Sequence, residues 1–110
     1  MEPLAPFHTA RGGSRARYEG WVDLRTGGTR RRAAARDLSV RGMGLSLPAP
    51  LPERWSAVVS EFALPGIRLP LALEGVVVWT DPRASRIGVQ FVAVDPGLAE
   101  LLDSYVAGRL

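Results

Sequence analysis

The sequence predicts an all-β fold: a small six-stranded antiparallel β-barrel closed by one C-terminal α-helix. Three observations predict it. Apolar and polar residues alternate along short segments, as on half-buried strands. Turn signals separate those segments: Thr26-Gly27-Gly28-Thr29, Pro65-Gly66 and Asp81-Pro82. Clear helical spacing appears at the end of the chain, from Asp95 onward.

Taken in order, Met1–Ala10 carries Glu2 and two prolines and is expected to be a loose N-terminal arm. It lacks a basic stretch followed by an apolar one, so no signal peptide is expected. Residues 11–110 are expected to form a single domain. Arg11–Arg17 (RGGSRAR) is a basic, glycine-containing loop. Tyr18–Leu24 is a strand with Tyr18, Gly20, Val22 and Leu24 on one face and Glu19, Trp21 and Asp23 on the other. The Thr26–Thr29 turn makes it one arm of a hairpin. Arg30–Asp37 (RRRAAARD) is ambiguous by propensity, because alanine favours helix; as the hairpin's other arm it is a strand. Asp37–Gly44 (DLSVRGMG) reads as a polar loop. Gly44–Leu47 begins a short strand, stopped by the proline-rich Pro48–Pro52. Ser56–Phe62 is another strand. Ile67–Trp79 is expected as one long strand kinked at Gly75, with Pro70 marking an edge position. Arg86–Val94 is the last strand. Asp95-Pro96 then starts a helix, with an acid at the N-cap and proline in the first turn. Leu98, Leu101, Leu102, Tyr105 and Val106 give that helix an apolar face to dock on the sheet.

Composition excludes several function classes. The chain has 110 residues, 46% hydrophobic and 23% charged, which suits one ordered globular domain. The absence of cysteine removes disulfides, thiolate metal sites and cysteine nucleophiles, and fits a cytoplasmic location. One histidine, His8, cannot build a multi-histidine zinc site, and its place in the arm argues against a catalytic triad. Without lysine there is no Walker lysine, and no GxGxxG occurs. Glu100 and Asp103 fall on the solvated face of the last helix. These observations predict a protein that is not an enzyme, with no catalytic residues, metal or cofactor. No apolar run approaches the roughly 20 residues that span a bilayer, so no membrane insertion is expected.

The charge is lopsided. Residues 1–45 hold nine of the fourteen arginines and four acids, whereas residues 46–110 hold five arginines and seven acids. All this basic charge is guanidinium, whose planar fork matches phosphates and guanine edges. A small polyanion is therefore a candidate partner. Two short patterns stand out in the basic half: Arg11-x-x-x-Arg15, an RxxxR, and Asp37-x-Ser39-x-x-Gly42, a DxSxxG. Alone, each is weak, and Asp-x-Ser in a loop is most often a turn or cap. Their order, and the strand and hairpin between them, make them informative.

With these motifs the chain resembles the PilZ domain family, the bacterial receptor module for cyclic di-GMP. The resemblance extends through "GMGLSLPAPLP" (Gly42 to Pro52), "LEGVVVW" (Leu73 to Trp79), "RIGVQFV" (Arg86 to Val92) and the closing helix. It implies a six-stranded barrel with a C-terminal helix, in agreement with the elements above. The basic run Arg30-Arg31-Arg32 departs from the pattern, and so does the expectation of a single domain with no second one. The resemblance implies that Arg11 and Arg15 clamp phosphate and the guanine O6/N7 edge, a bidentate pairing natural to guanidinium. It implies that Asp37 accepts from guanine N1 and N2, that Ser39 bonds near the base or phosphate, and that Gly42 admits close backbone approach or a positive φ at the turn. Arg41, Gly44 and Trp79 are secondary candidates; for Trp79 and Trp21, barrel packing is the competing role. The implied function is that of a cytoplasmic receptor whose arm, Thr9–Arg17, folds over the nucleotide and signals to a downstream protein. An alternative within the family is a protein-interaction module that does not bind the nucleotide, although such members commonly lack both motifs. Nucleic acid is not expected as a partner.

Overall fold

The computed structural model describes residues 16–108. Strands β1 (Ala16–Thr26) and β2 (Thr29–Leu38) form the first hairpin. Gly27 and Gly28 have φ of 58° and 107°, the positive values that a two-residue turn between twisted strands demands. Next come β3 (Gly42–Ser46), β4 (Ala57–Phe62), β5 (Leu71–Asp81) and β6 (Arg86–Phe91), and then α1 (Pro96–Val106). The strands close into an antiparallel barrel in the order β1-β2-β3-β6-β5-β4. The seam back to β1 pairs Asp23, Leu24 and Arg25 with Glu61, Ser60 and Val59.

Period-two patterning puts Val22, Leu24, Leu38, Met43, Leu45, Val77, Ile87 and Val89 wholly inside. In β2 the inward positions are Ala33 and Ala35, which are buried. Pairing on both sides, not alanine's own preference, makes this segment a strand. The helix packs on the barrel core through Leu98, Leu101, Leu102 and Tyr105. Leu102 is fully buried, and the Tyr105 ring meets the Tyr18 ring edge-on at 5.9 Å. Tyr18 in turn contacts Phe62 at 5.9 Å, and its hydroxyl donates to the Ala63 carbonyl at 2.5 Å. The helix starts as expected: Asp95 Oδ2 accepts from the Leu98 N–H at 3.2 Å, and Pro96 follows. It is too short to cross a membrane, and no helix among the described residues is long and apolar enough to do so.

Several expected boundaries move. The strand expected from Ile67 begins at Leu71 and runs on to Asp81. Pro70 has no N–H to give a ladder and sits just before the first paired residue. Leu69, part of the apparent alternation, is 74% exposed. The irregularity in β5 falls between Val77 and Trp79, not at Gly75. Gly75 answers a different need: a Cβ there would lie 2.7 Å from the Gln90 carbonyl oxygen. The expected loop 37–44 shrinks to Ser39–Arg41, because β2 continues through Leu38 and β3 starts at Gly42. The last strand ends at Phe91, ahead of Ala93, which has φ of 51°. The expected arm Met1–Ala10, and Arg11 and Arg15 with it, lie outside the described residues.

Candidate functional site

The register of four strands assembles a row on the outer face of the barrel. Asp37 pairs with Gly44, Gly44 with Gly88, and Gly88 with Trp79. Gly44 is flanked by the buried Met43 and Leu45, and Gly88 by the buried Ile87 and Val89, so both glycines face outward. With strands about 4.8 Å apart, the row spans about 14 Å of backbone.

Each end of the row is held by its glycine. At one end the Gly44 N–H donates to Asp37 Oδ1 at 3.1 Å. A Cβ on Gly44 would lie 3.2 Å from both carboxylate oxygens, so glycine lets the carboxylate lie flat over the strand. At the other end the Trp79 indole lies on Gly88, occupying the space of a Cβ. Trp79 is half-buried on the outer face and is not a core residue. Its Nε1 is buried and has no hydrogen-bond partner among the described residues. The same holds for Nε of Arg86, two residues before Gly88 on the same face. Trp21, the other tryptophan considered for barrel packing, is 62% exposed, with the Arg32 guanidinium 5.1 Å from its ring centroid.

The turn Ser39–Arg41 fixes the end of the row. Ser39 is buried, and its Oγ accepts from the N–H groups of Arg41 (3.0 Å) and Gly42 (3.2 Å). The Ser39 N–H donates to the Gly42 carbonyl at 2.9 Å. The serine thus shapes the loop from within, as short polar side chains do in turns. Gly42 is buried at the start of β3, and Arg41 is exposed, its carbonyl accepting from the Phe91 N–H at 2.7 Å. Nearby, Arg31 donates to the carbonyls of Pro48 and Pro50, tying the proline-rich loop to β2.

Hairpin register also explains the spacing of the two motifs. Ala16, next to Arg15, pairs with Leu38, and Arg17 pairs with Asp37. The strand that follows RxxxR therefore runs directly beside DxSxxG. Of the residues singled out in the sequence, Asp37, Gly44 and Trp79 share the row, while Ser39, Arg41 and Gly42 form its adjoining turn. Gly88 and Arg86 were missed. A glycine inside the alternating strand RIGVQF was the available signal for Gly88, since such a glycine often marks close approach.

The row offers a backbone floor without side chains, a carboxylate acceptor at one end and an aromatic plane at the other. Such a strip suits a planar base with N–H donors. No cluster of three or more metal-ligating side chains occurs among the described residues. A separate groove of about 550 Å³ lies between the β1–β2 turn and strands β4 and β5; none of the motif residues lines it.

The PilZ domain family model matches residues 10–108. Among solved structures, the Bacillus subtilis inhibitor of motility MotI/DgrA is similar, with a TM-score of 0.75 at 18% sequence identity. The match covers 92% of this chain and 51% of that one, so this chain spans about half its length. At that identity the likeness is one of fold. No curated protein sequence matches.

Proposed function

The chain belongs to the PilZ domain family, and we propose that it is a non-enzymatic cyclic di-GMP receptor that signals to a downstream protein. The row Asp37–Gly44–Gly88–Trp79 carries this reading. Asp37 accepts from guanine N1–H and the N2 amino group, the two donors that the Watson–Crick edge presents side by side. The glycines let the base approach the strands, and the Trp79 plane borders it. Arg11 and Arg15 close on phosphate and the O6/N7 edge, where a guanidinium bonds in bidentate fashion. Ser39 acts from beneath by fixing the turn that sets Asp37. Arg41 and Arg86 supply positive charge for phosphate. The arm carrying Arg11 and Arg15 orders over the nucleotide, and the altered surface is what the downstream protein, in the cytoplasm, recognises.

Titration calorimetry with cyclic di-GMP, with GTP as control, tests this. The expected result is micromolar or tighter binding specific to the cyclic dinucleotide. Asp37→Ala should weaken it about ten- to a hundredfold, the value of a hydrogen bond to a charged group, and Arg15→Ala should abolish the heat while the barrel still melts cooperatively. Absence of binding by the wild type would overturn the receptor reading and leave a protein-interaction module.

A further inference from the structure

The groove between the first hairpin and β4–β5 has no role in the nucleotide site, yet it is built next to it. Its lining is mostly apolar, with Ala57, Val59, Val76 and Val92, of which Val92 is 39% exposed, and it carries one acid, Glu74, on β5. Its rim carries Arg25 and Arg30, which are exposed and pair directly opposite each other across the hairpin. Like charges so placed repel. Neither forms an ion pair with a described residue. An acidic group laid between them would relieve that repulsion, and the valines beside them would cover an apolar side chain.

The groove is also linked to the motif turn through the sheet. Ala57 pairs with Val76, Val76 with Gln90, and Gln90 with Gly42, the last residue of DxSxxG. The two backbone N–H groups at the end of β6 link the same two places. Phe91 donates to the Arg41 carbonyl at 2.7 Å, and Val92 to the Glu74 carbonyl at 2.9 Å. The turn and the groove thus sit on one hydrogen-bonded ladder of four strands.

We propose that this groove is the docking surface for the downstream protein, and that it takes a partner segment combining apolar side chains with an acidic residue set between Arg25 and Arg30. The inference rests on the receptor reading only in making that partner the receptor's target. Its test is selection of a phage-displayed library of random dodecapeptides on the full chain, with and without cyclic di-GMP. The selected peptides should pair apolar residues with Asp or Glu. Anisotropy with a selected, labelled peptide should show at least about tenfold weaker binding to Arg25→Glu/Arg30→Glu and to Val76→Lys, with unchanged melting temperature and unchanged cyclic di-GMP binding. Peptides without acids, no selected peptide, or affinities that the variants leave unchanged would overturn the proposal. So would loss of cyclic di-GMP binding in the variants, which would make the groove part of the nucleotide site, or a wild-type dimer that the variants disperse, which would give the groove to a second copy. A wild type that selects acidic peptides at the groove but does not bind cyclic di-GMP would support the docking surface and overturn the receptor reading alone.

Discussion

Gly88 has no side chain, and the Trp79 indole fills the space a Cβ would take. The shape of that end of the row thus depends on one hydrogen atom. Gly88→Ala should push the indole off the strand and into water. In a background of Trp21→Phe and Trp55→Phe, which removes the two exposed tryptophans (62% and 64%), the remaining emission should shift to longer wavelength. Cyclic di-GMP binding should weaken about tenfold, or 1.4 kcal/mol, with the barrel intact. An unchanged emission maximum would mean that the indole does not rest on Gly88. At this scale the sequence was partly legible. Asp37 and Gly42 stood out through the DxSxxG motif, and Gly44 through the family resemblance that follows it. The turn role of Ser39 was legible only as one of two alternatives, since a hydroxyl bonding its own turn and one bonding a ligand look alike in sequence. Gly88 passed unnoticed for the opposite reason: what it makes room for is a residue nine positions earlier, on another strand.

Elements were legible where a pattern and a terminator agreed. The Asp95-Pro96 helix start and the Gly27-Gly28 turn held because cap and positive-φ chemistry is local. Residues 67–70 misled, because chance alternation through Leu69 was not backed by a partner strand. β2 shows the reverse, a strand with poor propensity that the hairpin register enforces. The contact between β1 and α1 carries a pH dependence. Burial, and secondly the nearby Tyr105, raise the Tyr18 pKa above its ordinary 10.0. Below that pH the phenol is protonated in both folded and unfolded chains, and its contribution is fully present. As the pH climbs past 10.0 the unfolded chain loses the proton first, so stability falls until the folded phenol ionises too. Urea melts should show that decline in wild type. Tyr18→Phe should flatten it while lowering stability at neutral pH by about 0.5–1.5 kcal/mol through loss of the bond to Ala63. An equally steep decline in the variant would assign the pH dependence to other groups.

Across the whole molecule, a closed barrel turns every inward residue into core and leaves the outer face to function. The β1–β2 hairpin brings the residues after RxxxR beside DxSxxG, and the β3–β6–β5 ladder brings Gly44, Gly88 and Trp79 into line with Asp37. The barrel class could be read from spacing and turns, but strand order could not, because β3 meets β6 across an intervening β4–β5 excursion. That crossover is what completes the row. A nitrogen-15 NMR titration of the full chain with cyclic di-GMP tests most directly the proposal that the nucleotide lies along that row. The largest shifts should fall on the amides of Asp37, Gly42, Gly44 and Gly88 and on the Trp79 indole N–H, with smaller ones at Phe91 and Val92. Shifts confined to the far side of the barrel, or none at saturating nucleotide, would contradict it.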